Sequence, residues 1–288
     1  MVRVLVASLV GTSLFRNFSR SSQFSEVSAR YGTGSWVELP IDDPRNTYPS
    51  GEVCSYLREE PLLEALLEFA GSDPRASCAE LAGTLTALDE ARSRYGRVEA
   101  EALLYPTATC TSYIASEVVA RYLRSVGVPA EVRVVEAIRS AEDFDEGLAS
   151  LVDIAVGDIV EHTKKGFKVY INATPGFKAE ASFLVLASIL AGARAVYYIH
   201  ETFRKPVKLP ALPISVDSRY LELVRRVAEG GGIELAQAYG LLGLTEADVK
   251  DLEDRYLAYV DGTVLRPRKW VVRLLEKLGW TRPTTRTL

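Results

Sequence analysis

Between Asn172 and Lys178 the chain reads Asn-Ala-Thr-Pro-Gly-Phe-Lys, which gathers an amide, a hydroxyl, a glycine turn and a cation into one short stretch. The run from Ala179 to Ala193 is small, apolar and free of proline, so it reads as a helix leaving that turn. Unpaired N–H groups at a helix start, together with the helix dipole, make an anion site for which phosphate is a natural guest. Lys178 bears on this. A cation in the first turn opposes the dipole, where an acid would gain about 0.3–1 kcal/mol, and a bound anion reverses that sign. The competing reading is a solvated lysine paired with Glu180 or another acid.

Two further turns have the same character. Gly11-Thr12-Ser13-Leu14 ends a first apolar run, and Pro106-Thr107-Ala108-Thr109-Cys110-Thr111-Ser112 ends a second. One hydroxyl cluster at a helix start is usually only an N-cap. Three in one chain point to a shared polar ligand contacted by Gly11, Thr12, Ser13, Thr109, Thr111, Asn172, Thr174, Pro175, Gly176 and Phe177. Arg16, Asn17 and Arg20 fall in the first two turns after Ser13, where they either reach that ligand or form a solvated face.

Strands must deliver these turns. Val2–Leu9, Val98–Tyr105, Val132–Val135, Phe167–Ile171 and Arg194–His200 are rich in β-branched and aromatic residues and read as strands. Helical segments alternate with them: a polar one at Phe15–Tyr31, an amphipathic one at Tyr113–Val126 and a long one at Ala141–Lys165. The expected fold is α/β, a Rossmann-like, mainly parallel sheet with helices on both faces. In such sheets ligands bind beyond the carboxyl ends of the strands at the switch point, so two turns can face one crevice. The dinucleotide Gly-x-Gly-x-x-Gly and the Walker lysine sequence are both missing. Two helices, Pro61–Ala70 and Ala76–Tyr95, form an insert between the first and second strands, with no chemistry assignable to it. Arg194 and His200 have the spacing of an Arg-x-x-x-x-x-His ribonuclease motif. That motif needs a helical site, and the residues between them are strand-like, so His200 reads as a strand-end residue.

With 288 residues, 48% of them hydrophobic, the chain can bury a large core. Its net charge of −4 gives no global pull toward nucleic acid, so a polyanion needs a local patch. The sequence has no apolar run of about 18 residues and no signal-peptide cleavage pattern, and the expected location is the cytoplasm. Cys54, Cys78 and Cys110 are few and far apart, which fits a reducing compartment and argues against a disulfide framework. With only two histidines, His162 and His200, and no close cysteine pair, a zinc site is disfavoured and no cofactor is expected. A carboxylate-only Mg²⁺ site stays open on counting alone. A single Met and many Arg, Glu and Val residues point toward a thermophile.

Domain boundaries are expected at 1–205, a proline-rich linker at 206–217 and a second unit at 218–288. Tyr220–Ala228, Ile233–Leu242 and a third helix capped by Thr245-Glu246-Ala247-Asp248 precede an Asp261-Gly262 hairpin and a last helix at Trp270–Leu278, the order of a winged helix-turn-helix. Its presumed recognition helix sets Glu246, Asp248, Asp251, Glu253 and Asp254 against Lys250 and Arg255, which phosphates would repel. Dimerisation or packing is favoured over DNA binding, although Arg266, Arg268 and Lys269 near the wing argue the other way.

The Gly11–Leu14 turn, the Asn172–Lys178 turn and the run from Tyr198-Ile199-His200-Glu201 to Leu209-Pro210 resemble a CRISPR-associated Rossmann-fold (CARF) domain with a C-terminal helix-turn-helix module. Within that superfamily the chain is most similar to archaeal ring nucleases. The resemblance covers residues 1 to about 217 well and the remainder in architecture only. It implies a homodimer whose two crevices join into one pocket for cyclic tetra-adenylate, with Ser13 and Lys178 as the functional pair. The implied reaction is metal-independent: attack of a ribose 2′-OH on the adjacent phosphorus leaves a linear di-adenylate with a 2′,3′-cyclic phosphate. Ser13 would orient the 2′-OH or the phosphate, while Lys178 and the Gly176 and Phe177 amides would stabilise charge on the phosphorane. Two other classes stay open, a ring-responsive DNA-binding regulator and a protein that binds the messenger without cutting it.

Overall fold

A computed structural model describes residues 1–136, 138, 140, 142–199, 206–228 and 230–280. The α/β part runs β1 (Val2–Val10), α1 (Ser13–Arg20), α2 (Ser25–Tyr31), α3 (Thr33–Trp36), α4 (Glu60–Ser72), α5 (Pro74–Ser77), α6 (Ala79–Tyr95), β2 (Val98–Pro106), α7 (Cys110–Ser125) and β3 (Ala130–Val132). It continues with α8 (Phe144–Leu151), a π turn at Val152–Val156, α9 (Gly157–Lys164), β4 (Lys168–Asn172), α10 (Lys178–Leu190), β5 (Ala195–Ile199) and β6 (Pro206–Leu209).

β1 lies at the centre because it is apolar on both faces. Val4, Val6 and Val10 point into one layer with α1, α4, α6 and α7, while Leu5, Ala7 and Leu9 point into the other with α9 and α10. The sheet order is β3-β2-β1-β4-β5-β6, parallel throughout except for β6 against β5. The order reverses at β1 and β4, and the Gly11 and Gly176 turns follow those two strands.

Several expected elements differ. The helix expected over Phe15–Tyr31 breaks at Ser21, whose extended backbone (ψ 123°) ends α1 before a 3-10 turn. The helix expected over Ala76–Tyr95 breaks at Cys78, extended at φ −158° and ψ 159°, so that α6 starts afresh at Ala79. The strand expected at Val132–Val135 is centred earlier, at Ala130–Val132, with one bridge from Val135 to Thr107. The segment read as a linker opens as edge strand β6, which pairs Pro206 with Ile199 and Leu209 with Val196. Cys54 and Cys110 form a disulfide, contrary to the reading of three separate thiols, and Cys78 is free and buried. The insert folds back so that its 3-10 turn, Glu52–Arg58, lies on the first turn of α7; a separation of 56 residues gave no local sign of this.

The C-terminal module contains α11 (Ser218–Ala228), β7 (Ile233–Glu234), α12 (Leu235–Leu241), α13 (Glu246–Asp254), β8 (Ala258–Asp261), β9 (Val264–Pro267) and α14 (Lys269–Lys277). Its small sheet is ordered β7-β9-β8, and Thr245 and Asp248 close a reciprocal capping box at α13. Helix α14 reaches back onto the α/β body. Leu274 joins the apolar layer beneath α10, and Trp270 meets Phe183 of α10 edge-on at 5.2 Å. Asp145 of α8 caps α14, accepting from the Lys269 and Trp270 N–H groups at 3.0 and 3.3 Å.

Candidate functional site at the switch point

The turns after β1 and β4 touch. A Cβ on Gly11 would lie 3.2 Å from the Gly176 nitrogen, and Gly176, at φ +93°, would put a Cβ 3.0 Å from that of Leu9. Both positions therefore need glycine, one for close approach and the other also for its left-handed backbone. Beyond them opens a cavity of about 1260 Å³. Its walls include Gly11, Thr12, Ser13 and Asn17 from the first turn, Thr109 and Thr111 from the second, and Thr174, Pro175, Gly176 and Phe177 from the third. Arg16 and Arg20 line the same space, and neither forms an ion pair among the described residues.

Within this wall the roles divide. Thr12 precedes α1 without a side-chain capping bond. The Thr109 hydroxyl accepts the Ser112 N–H at 3.3 Å, so it is the N-cap of α7. Thr111 donates its N–H to Asn46 Oδ1 at 3.0 Å, and Thr174 Oγ1 accepts the Ile199 N–H at 2.8 Å. Asn17 Nδ2 donates to the carbonyls of Ala76 and Ser77 at 3.2 and 2.9 Å, pinning α1 to α5.

Asn172 does not line the cavity. It is fully buried, and its Nδ2 donates to Ser8 Oγ (3.1 Å) and to the carbonyls of Ala79 (3.1 Å) and Glu80 (3.2 Å). Its Oδ1 accepts the Thr174 N–H at 3.3 Å. It is a bracket between β1, β4 and α6 rather than a ligand contact. Lys178 is the first residue of α10, exposed and next to Phe177, which is 49% exposed at the cavity rim. The lysine forms no ion pair among the described residues. The suggested pairing with Glu180 does not occur, because Glu180 is buried with both carboxylate oxygens unpartnered. Burial pushes the Glu180 carboxyl up to about 7, and the nearby Ile138 and Phe177 amides offset only part of that effect.

Sequence reasoning missed one central residue. Glu80, on the first turn of α6, is fully buried against the β1 turn. Its Oε1 accepts the Gly11 N–H at 2.8 Å, and its Oε2 accepts the Ser13 hydroxyl at 2.9 Å. The Ala79 N–H in turn donates to Ser13 Oγ at 3.0 Å. The anion nook expected at the first turn is therefore filled by a carboxylate of the protein itself. An acid in a first helical turn ordinarily reads as a partner of the dipole, and that is how Glu80 escapes notice in the sequence.

The chain's other chemistry lies elsewhere. His162 sits 2.7 Å from Glu101 through Nε2 and 2.7 Å from the Asp158 carbonyl through Nδ1, away from the cavity. His200 and Glu201 lie outside the described residues, as does Lys205 at the start of the expected linker. No three His, Cys, Asp or Glu side chains converge as a metal set among the described residues. Among the same residues, no helix is long and apolar enough to cross a membrane.

Residues 75–212 match a family model described as CRISPR-associated protein (Cas_APE2256). The matched stretch runs from α5 to just beyond β6 and takes in Glu80, the β2–α7 turn and the β4–α10 turn with Lys178; Ser13 precedes it. The match bears out the resemblance to CRISPR-associated proteins.

Proposed function

Starting from a CRISPR-associated α/β fold with its cavity at the switch point, we propose that this protein is a metal-independent ring nuclease. It binds cyclic tetra-adenylate as a homodimer and cuts it to linear di-adenylate ending in a 2′,3′-cyclic phosphate, switching off the signal of type III CRISPR complexes. The observation that carries this reading is the contact of the two glycine turns, which sets Ser13 and the Thr174–Phe177 turn on one crevice; Lys178 is the residue that follows the cavity wall. The cavity exceeds the roughly 300–1,000 Å³ of ordinary small-molecule pockets, as a multi-nucleotide ligand requires.

A second copy is favoured by α10 itself. The helix is apolar along most of its length, which normally marks a covered helix, yet Leu186 is 57% exposed and Val185 and Ile189 are only partly buried. A two-fold axis between copies also suits a ring built of four equal repeats.

In the reaction the ribose 2′-oxygen attacks the adjacent phosphorus in line and the 5′-oxygen leaves. Ser13 holds the 2′-OH, and the unpaired ammonium of Lys178 supports charge on the phosphorane. Positioning and charge stabilisation are each worth several kcal/mol in such sites. Replacing Lys178 by Ala tests this directly: cleavage should fall about 100-fold or more, the size expected when one charge-stabilising group is lost, while part of the ring binding survives. Unchanged cleavage would remove Lys178 from the mechanism.

A further inference from the structure

We propose that Glu80 is the proton acceptor of the cleavage step, acting on the substrate through Ser13; this rests on the ring-nuclease reading above. The Ser13 hydroxyl donates to Glu80 Oε2 at 2.9 Å, so its proton is aimed at the carboxylate. The Ala79 N–H occupies one lone pair of Ser13 Oγ. The remaining lone pair belongs to a side chain that lines the cavity, so Ser13 is set to receive a proton from a ligand hydroxyl rather than to give one.

The fold holds this pair rigidly. The helix break at Cys78 starts α6 at the β1 turn, the Gly11 N–H holds Oε1, and Asn172 holds the Ala79 and Glu80 carbonyls. A fully buried carboxylate is costly unless its oxygens are hydrogen-bonded, and each oxygen of Glu80 has a donor.

The step balances. The 2′-OH proton passes to Ser13 Oγ while the Ser13 proton passes to Glu80 Oε2. The 2′-oxygen bonds to phosphorus, the bond from phosphorus to the 5′-oxygen breaks, and that oxygen takes a proton from the Lys178 ammonium. The products are a 2′,3′-cyclic phosphate and a 5′-OH, and proton exchange with water restores Glu80 and Lys178. Glu80 is a positioning residue in this scheme, because it touches Ser13 and not the ring.

The test is Glu80→Gln, which keeps the shape and a hydrogen-bond partner for Gly11 but takes up no proton. Single-turnover cleavage of bound cyclic tetra-adenylate should fall about 100-fold, within the usual contribution of general base catalysis, with ring affinity within a few-fold of wild type. The pH–rate profile should differ from that of the wild type. A titratable neighbour is Cys78, at the N-cap of α6, whose thiol is pushed up by burial and by the Glu80 charge; from α1 and β4, Ser13 and Asn172 reach Glu80. Cys78→Ala should therefore leave the profile unchanged. Adding Ser13→Ala to Glu80→Gln should cost little more than either change alone, since the two act as one unit. Wild-type rate and profile in Glu80→Gln, or fully multiplicative losses in the double variant, overturn the Glu80 assignment alone. An uncut ring with the wild-type protein overturns the ring-nuclease reading, and this inference with it.

Discussion

Glu180 and Lys178 lie in the same first turn of α10 and face opposite fates. Among the described residues the exposed lysine forms no ion pair and the buried carboxylate oxygens have no hydrogen-bond partner, the carboxyl's ionisation moved from 4.5 up to about 7. A raised carboxyl binds its proton more tightly folded than unfolded. This group's contribution to stability is therefore full below about pH 4.5 and is lost as pH rises toward about 7. The loss above that range is roughly 3 kcal/mol, from the size of the shift. Glu180→Gln should therefore stabilise the protein by up to that amount at pH 8 and leave it nearly unchanged at pH 4, read from urea unfolding at both pH values. Equal effects at the two would contradict the unpartnered carboxylate. At this scale the sequence is legible where the site is contiguous: Ser13, Thr174, Gly176 and Phe177 sit in short turns whose composition announces them. Glu80 is not legible, because it reaches Ser13 from 67 residues away. The burial of Asn172 is not legible for a related reason, since its partners belong to β1 and α6.

Between elements, α6 lies close against the end of β4. Gly83 lies within α6, where alanine ordinarily stabilises a helix by about 1 kcal/mol. Here a Cβ would fall 2.3 Å from the Asn172 amide, so Gly83→Ala has to displace the bracket that carries Glu80. The expected result is a loss of about 1–3 kcal/mol in denaturant unfolding, the usual cost of overpacking, with slower cleavage. A gain in stability would show that the bracket yields. Strand and helix order was legible because short runs rich in β-branched and aromatic residues alternate with helical segments. The breaks at Ser21 and Cys78 were not, because a local backbone turn leaves the apolar period almost intact. β6 escaped notice because Pro206 and Pro210 suggest a linker, yet proline is compatible with an edge strand.

Over the whole molecule, the C-terminal module is fastened to the body that carries the site. Lys269 pairs with Glu146, Arg273 lies 3.4 Å from Asp153, and Lys277 lies 3.5 Å from the same acid. Arg266 pairs with Asp261 at 3.1 Å, and Arg268 stacks over Tyr256 and Tyr259. The wing cations that spoke for DNA binding thus already have partners, and α13 keeps its acidic surface. The module packs behind α10, where Trp270 meets Phe183. In the proposed dimer the uncovered part of α10 is the surface for a second copy. Leu186→Glu should give monomers by light scattering where the parent chain gives dimers, and cleavage should fall with dimer content. An unchanged mass would place the dimer contact elsewhere.

The most direct measurement is incubation of the purified protein with cyclic tetra-adenylate in excess EDTA, with the products separated by chromatography. The account predicts linear di-adenylate carrying a 2′,3′-cyclic phosphate, formed without metal. An intact ring that co-elutes with the protein would contradict it and make the cavity a sensor or a sponge.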